Sequence, residues 1–485
     1  MAVGKVSWFL LSGACLVLVV ALWMNRSDEN QTQHRLQLIL QGLLKTETEL
    51  QVEPSLKIAV GFGACLDVIV PSRHVFRNLK APERPRNHDV LNTHDELLET
   101  FTYYFKHGAA AERFVANATL FREVLQQAKS SSEWRSTLGG NAALLATRFA
   151  LEGAQVLLGS HMSADLKESL PEGVTVAGPE IDEDDYHMLL EYAAGEKFIQ
   201  YKAPRANRFI IHNDHVNPRF RSIEGFDDKM KNFQPSLFVL GGVHVMDNFP
   251  YREGQLDSSM NRLLTVLQEI PTSTAIHFEM GSFVDHDLLK RIVRQVLPLS
   301  QSLGMNEQEL ANLNSLLKYD NISYVSDSYP RVATVLDQTR ELFQSLYDSA
   351  PNGRPLSRIH IHTLAFQAIL RVVRDPKHSV FEWMNTRASA AKSALTAHRH
   401  TCGSHDIDIN RAKIIMDDSF TTTNGPNRQR IPFDPDEPVR CWNEVLQGTK
   451  VEVEFCVAPV LVCTKVLQTG GGGDNVSAAG LVLQV

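Results

Sequence analysis

Pro459-Val-Leu-Val-Cys463, followed by Thr469-Gly-Gly-Gly-Gly-Asp474-Asn475-Val-Ser-Ala-Ala-Gly480, sets an apolar run, a glycine turn and an acid ahead of a helical stretch. A buried strand that passes through glycines into a helix is the elementary unit of layered α/β folds. Glycines let backbone N–H groups approach an anion closely, and a helix amino terminus adds unsatisfied donors and a partial positive charge. An aspartate held there is placed to take a proton from an attacking hydroxyl. The competing reading is an exposed flexible loop that ends with Asp474 as an N-cap.

The same alternation recurs outward from this stretch. Residues 56–60, 237–240, 275–278, 359–362 and 459–462 read as buried strands, and residues 97–106, 140–151, 289–297 and 306–317 carry apolar side chains at helical spacing. Strands alternating with helices predict an α/β layered domain with a largely parallel sheet, whose ligands sit beyond the strand carboxyl ends. Acids and glycines gather at those ends: Gly61-Phe-Gly-Ala-Cys-Leu-Asp67, Gly241-Gly242 and Glu279. Between residues 182 and 211 the pattern turns alternating and aromatic, with Tyr192, Phe198, Tyr201 and Phe209, as expected of antiparallel strands in a smaller inserted lid. The expected organisation is a leader over 1–24, a linker and leading helix over 25–54, and one domain over 55–485. The lid is drawn from segments within about 75–130 and 182–235.

With 485 residues, 43% hydrophobic and 21% charged, the chain is globular in composition and long enough for one large core or a few ordinary ones. Its 48 basic and 56 acidic residues give a charge of −8, which argues against nucleic acid or an anionic membrane surface as partner and favours a small molecule. Lys5, the apolar stretch from Val6 to Met24 and the polar run from Asn25 read as a secretory signal or a signal anchor. Either would deliver the bulk of the chain to the secretory pathway, as an endoplasmic reticulum lumenal or secreted protein. Asn-x-Ser/Thr triplets at Asn25, Asn30, Asn117 and Asn321 are compatible with that route; Asn475 also fits the triplet, but a glycan there would block the glycine cradle. Six cysteines do not make a disulfide framework at this size, but Cys402, Cys441, Cys456 and Cys463 cluster late, so one bridge among them is expected. No Cys/His spacing resembles a zinc site.

Glu279 ends a strand and Glu309 starts a helix, two placements that suit Mg²⁺, which takes few carboxylates and keeps water. For Asn306-Glu-Gln-Glu309 the competing reading is a capping box. Arg205-Ala-Asn-Arg208 offers guanidinium groups to phosphate oxygens, or else to nearby acids in ion pairs. Gly139-Gly140-Asn141 precedes a helix, with Asn141 as N-cap candidate or as an amide offered to a polyhydroxy ligand; Asp67 and Glu112 are further hydroxyl acceptors.

From about residue 56 onward the chain resembles the eukaryotic ADP-dependent glucokinases of the ribokinase-like superfamily. The resemblance rests on Gly139-Gly-Asn-Ala-Ala143, Glu191-Tyr-Ala-Ala-Gly-Glu196, Lys202-Ala-Pro-Arg-Ala-Asn-Arg-Phe-Ile210, Ser302-Leu-Gly-Met-Asn-Glu-Gln-Glu-Leu310, Arg358-Ile-His-Ile-His-Thr-Leu364, and Pro459-Val-Leu-Val-Cys463 leading to Gly471-Gly-Gly-Asp474. It implies a layered α/β large domain with an inserted α/β lid that transfers the β-phosphoryl of ADP to the 6-hydroxyl of glucose and releases AMP. By this resemblance Asp474 is the catalytic base, and Gly471, Gly472 and Gly473 form the anion hole. Asp67, Glu112, Gly140 and Asn141 bind the sugar. Arg208 clamps phosphate, while His360, Thr363 and Val462 wall the adenine side. Glu279, Glu309 and Asp474 hold Mg²⁺, and a monomer is expected.

The chain departs from the family pattern in several places. Gly63 stands where many relatives have Asn, four consecutive glycines replace a bulkier turn, and Asn475 replaces a small apolar residue. Only 11 residues follow Asp474, so a short last helix is expected to pack less firmly. Two further readings stay open: an ATP-dependent sugar kinase on the same scaffold, and a nucleotide- or sugar-binding protein that has lost turnover.

Overall fold

A computed structural model describes residues 29–76, 82–347, 354–423 and 428–485. The leader read at residues 1–24 lies outside them, and no helix among the described residues is long and apolar enough to cross a membrane.

Ten strands form the main sheet, in the spatial order Arg440–Val445, Glu452–Pro459, Phe366–Arg374, Arg358–His362, Ser302–Asn306, Ala275–Glu279, Leu237–Leu240, Lys57–Gly61, Gln155–Gly159 and Val174–Ala177. The seven from Arg358–His362 to Val174–Ala177 run parallel. The other three add antiparallel at one edge. The central strands read as unbroken apolar runs because helices cover both faces. Ile58 and Val60 join the core with Phe149 and Ala478, whereas Ala59 joins Phe62, Phe226, Phe238 and Leu310 on the other side.

The run expected as a strand over 459–462 is divided. Glu452–Pro459 closes one strand of the main sheet, Val460 N–H donates to Ala365 O (2.9 Å), and Val462–Cys463 pairs instead with Ala412–Lys413. The last helix, Gly472–Leu481, is short as expected but not loosely held. It lies between helices Asn141–Leu151 and Thr386–Cys402, with Ala478, Ala479 and Leu481 fully buried. A Cβ on Gly480 would lie 2.1 Å from Ser393 Oγ, so glycine sets how close those two helices come.

A second sheet of six strands runs Val90–Leu91, Ala111–Val115, Asn207–His212, Tyr186–Tyr192, Cys65–Pro71 and Arg135–Gly139. It mixes parallel and antiparallel pairs rather than being antiparallel throughout. It draws on Cys65–Pro71 and Arg135–Gly139, which lie outside 75–130 and 182–235. Helix Ile223–Phe233 goes the other way, because Phe226 packs edge-on to Phe62 in the core of the main sheet. The two-residue period of a strand gives this sheet a mostly apolar and a mostly polar face. Val68, Val70, Met188, Leu190, Phe209 and Ile211 bury against helix His94–His107 and its neighbours. By alternation, Asp67, Glu112, Arg135, His187, Glu191, Arg208 and His212 share the opposite, polar face.

Residues 29–48 form the leading helix, which seats Leu36, Ile39, Leu40 and Leu43 on the main core. Glu47 pairs bidentately with Arg399 (2.6 and 2.9 Å). Two disulfides are present rather than the one expected. Cys441–Cys456 bridges directly opposed residues of neighbouring strands, and Cys402–Cys463 ties the end of helix Thr386–Cys402 to strand Val462–Cys463.

Candidate functional site

A cavity of about 630 Å³ lies between the carboxyl ends of the main-sheet strands and the polar face of the six-stranded sheet. Glu279, Asn306 and Glu309 line it from one side, Glu191 and Arg208 from the other, and Gly472, Gly473 and Asp474 close one end.

Helix Gly472–Leu481 begins at Gly471, whose φ of 67° is left-handed, and it has no side-chain cap. Asp474 is its third residue, so the reading of Asp474 as an N-cap does not hold. The carboxylate is buried, and its Oδ1 accepts from Asn141 Nδ2 at 2.9 Å. Burial, and then the charge of Glu279, push the Asp474 pKa up to about 7, against the opposing pull of His244, Arg208 and Asn141. Close approach accounts for two neighbouring glycines: a Cβ on Gly470 would lie 2.5 Å from Leu189, and one on Gly473 2.9 Å from His362. Asn475, a departure from the family pattern, turns its amide back to donate to Gly471 O (2.9 Å).

The acids at the main sheet differ in how fully they are used. Glu279 is heavily used: Oε2 accepts from His277 Nε2 (2.9 Å) and Ser477 Oγ (2.6 Å), and Oε1 from His362 Nε2 (3.1 Å). Burial raises its pKa, but these donors outweigh burial and hold it well below the carboxylate range. Glu309 does form the capping box, accepting from Asn306 N–H with Oε2 (2.9 Å), while burial raises its pKa. The charge of Glu279 also raises both Asp474 and Glu309. Oxygen donors without sulfur are the type a hard divalent cation takes, but the ligand atoms of these three carboxylates do not all lie within 4.8 Å of one another; among the described residues the groups that do are Cys65, Asp67 and His187, and His187, His212 and Asp214.

The two arginines of Arg205-Ala-Asn-Arg208 separate. Arg205 forms an ion pair with Glu307 (2.6 Å), so the ion-pair reading holds for it. Arg208 makes no ion pair among the described residues. Its Nε is buried without a hydrogen-bond partner, and Nη1 reaches only Asn207 Oδ1 at 3.4 Å.

Asp67, Glu112 and Gly140 lie outside the cavity lining. Asp67 sits directly against Gly139, where a Cβ would be 1.9 Å from its Oδ1, and burial pushes its pKa up to about 6. Glu112 lies 3.1 Å from His244 Nε2 and 3.5 Å from His187 Nδ1. Burial raises its pKa, but His244, His187 and His212 together outweigh that and hold it well below the usual range. His187 Nε2 lies 3.0 Å from both oxygens of the fully buried Asp214. Asn141 does not cap its helix: Gly140 is the N-cap, which frees the Asn141 amide for Asp474. Beside Gly63, the Asn217 amide docks on the backbone of Ala64 (2.9 and 3.3 Å).

On the remaining wall, Thr363 and Val462 line the cavity, whereas His360 does not. His360 is fully buried against Gln367 (3.1 Å), and His362, two residues on along the same strand face and at the strand's carboxyl end, reaches the cavity. Thr363 Oγ1 is engaged locally, donating to Phe366 O and accepting from the Ala365 and Phe366 N–H groups. Sequence reading passed over His187, His212, Asp214 and His244. The signal available for two of them was parity: His187 shares its strand face with Glu191, and His212 with Arg208.

Residues 56–483 match the family described as ADP-specific Phosphofructokinase/Glucokinase conserved region. The chain is 35% identical to the ADP-dependent glucokinase of Bos taurus, over 88% of this chain and 84% of the bovine one. It is 28% identical to a probable ADP-dependent glucokinase of Caenorhabditis elegans, over 98% of this chain and 94% of the other. In fold it is similar to a solved ADP-dependent kinase in complex with fructose-6-phosphate and ADPβS, with TM-score 0.64, 16% identity, and 92% and 97% of the two chains covered.

Proposed function

Because the chain belongs to the ADP-specific phosphofructokinase/glucokinase family, we propose that it transfers the β-phosphoryl of ADP to the 6-hydroxyl of D-glucose, giving glucose 6-phosphate and AMP. The observation that carries this reading is an unpaired guanidinium, Arg208, lining one cavity with a carboxylate whose pKa is about 7. The first needs an anion and the second is suited to act as a base near neutral pH.

The sugar end supports glucose over a phosphorylated sugar. Asp67 and Glu112 are carboxylates that accept from neutral hydroxyls but repel a phosphate. With the sugar held there, Asp474 accepts the 6-hydroxyl proton as the oxygen attacks phosphorus. Asn141 orients the Asp474 carboxylate from one side. The N–H groups at Gly471 to Gly473 and the Arg208 guanidinium receive charge on the phosphoryl oxygens. Thr363, Val462 and His362 wall the nucleotide side, so water is excluded as the two sheets close. Glu279, Glu309 and Asp474 would hold Mg²⁺, which would neutralise the ADP phosphates when bound.

The two disulfides support delivery to an oxidising secretory lumen, such as the endoplasmic reticulum. All these side chains belong to one chain, so a monomer suffices. The purified protein with Mg²⁺ and glucose, given ADP or ATP separately, tests the reading. AMP and glucose 6-phosphate forming with ADP support it. Turnover with ATP alone, or saturable binding without turnover, replaces it with one of the two alternatives.

A further inference from the structure

A run of four glycines has high backbone entropy, so an anion hole built on it has to be held from outside. From the large-sheet side, His400 Nε2 donates to Gly470 O (2.7 Å), the Asn475 amide donates to Gly471 O (2.9 Å), Leu467 N–H donates to Thr401 O (2.8 Å), and His362 packs beside Gly473. Further contacts come from the six-stranded sheet. Glu191 Oε1 accepts from both Thr469 N–H (2.8 Å) and Thr469 Oγ1 (2.7 Å). Glu191 Oε2 pairs with Arg135 Nη2 (3.1 Å), which also donates to Leu467 O (3.1 Å). Leu189, two residues away on the same strand face, packs against Gly470.

We propose that Glu191 is a positioning residue that ties the glycine loop to the polar face of the six-stranded sheet. The anion hole then takes its working shape only while that sheet is closed over the main one. The inference rests on the proposed phosphoryl transfer for its kinetic consequence, but the tether itself can be read without turnover. A single carboxylate here orders the loop amino-terminal to the donors and, through Arg135, the carbonyl at Leu467. Its charge strengthens each hydrogen bond.

The test compares the protein with Glu191→Ala, Glu191→Gln and Thr469→Val, measuring ADP-dependent turnover, glucose affinity by calorimetry and amide hydrogen exchange over residues 467–473. In Glu191→Ala, kcat is expected to fall about 10- to 100-fold, less than the loss typical of deleting an anion-hole donor outright. Glucose affinity should be retained and exchange across the loop should accelerate. Glutamine keeps an acceptor for Thr469, so Glu191→Gln should recover most of both. Thr469→Val, which keeps the N–H bond, should show a smaller change of the same kind and serves if the alanine variant does not fold. Unchanged exchange and kcat in Glu191→Ala and Thr469→Val would overturn the proposal. So would a loss in Glu191→Ala that glutamine does not recover. A parent protein that forms no AMP removes the functional reading instead, while the exchange data still decide the tether.

Discussion

Two of the helices that begin at the cavity treat their first turn in opposite ways. Helix Glu307–Tyr319 starts with a complete capping box: Asn306 accepts from Gln308 and Glu309 N–H (2.8 and 2.9 Å), and Glu309 returns to Asn306 N–H. Helix Gly472–Leu481 starts at a glycine with no side-chain cap. The first spends its orphan donors within the chain and brings acids to the cavity. The second keeps its N–H groups for something else, and the unpaired Arg208 lines the same cavity. On the proposed reading, the capped end and the bare end side by side divide the work between a cation and an anion.

The strongest way to break this contrast is Asp474→Asn, which leaves the bare helix end intact but removes the proposed base. Glucose phosphorylation is expected to fall about 10²- to 10⁴-fold in kcat, the usual worth of a general base. Near-normal turnover would take Asp474 out of the reaction. The same variant should be more stable. With the Asp474 pKa raised from 3.8 to about 7, the folded state binds the proton more tightly than the unfolded one, so stability falls as pH rises through that window. Removing the charge recovers at most about 4 kcal/mol above pH 7, read from urea denaturation of the two proteins.

Arg208→Met tests the anion side next. Loss of a charge-assisted contact of about 1.5–3 kcal/mol should weaken ADP-dependent kcat/KM roughly 10- to 100-fold. Loss confined to glucose affinity would place Arg208 at the sugar instead. The pH profile sharpens the comparison further, since the base works as the carboxylate. Turnover should fall about tenfold per unit as pH drops below the Asp474 pKa, which burial raises in the chain alone and a bound cation would lower, and the Asp474→Asn variant should lose that limb. The smallest effect belongs to the capped end: Asn306→Ala should cost about 1 kcal/mol of stability in denaturant unfolding. An unchanged midpoint would mean that the Gln308 and Glu309 N–H groups find other acceptors.

Much of this contrast was legible in the residues themselves. Asn306 and Glu309 at capping-box spacing, glycines before Asp474, and apolar runs ending in Glu279 all declare themselves through local chemistry. The four central strands and the helices appear within a few residues of where periodicity put them. Other assignments had no local signal. His360 and His362 share one face of a strand buried on both faces, so hydropathy cannot tell which of them reaches the cavity. Arg205 and Arg208 are equally cationic, and Glu307, about a hundred residues on, decides which of them is neutralised. Asn141 reads as a helix cap until Gly140 takes that position.

What the sequence alone determined was therefore periodic or local: strands, helices, the capped turn, and a glycine-flanked acid. Each depends on neighbours a few residues apart, whose geometry the backbone dictates. What tertiary structure decided was pairing at long range: the bond from Asn141 to Asp474, the engagement of Glu279 by His277, His362 and Ser477, and the hold of Glu191 on Thr469. A side chain's protonation and availability depend on burial and on charges that arrive from other strands, and no local pattern encodes them.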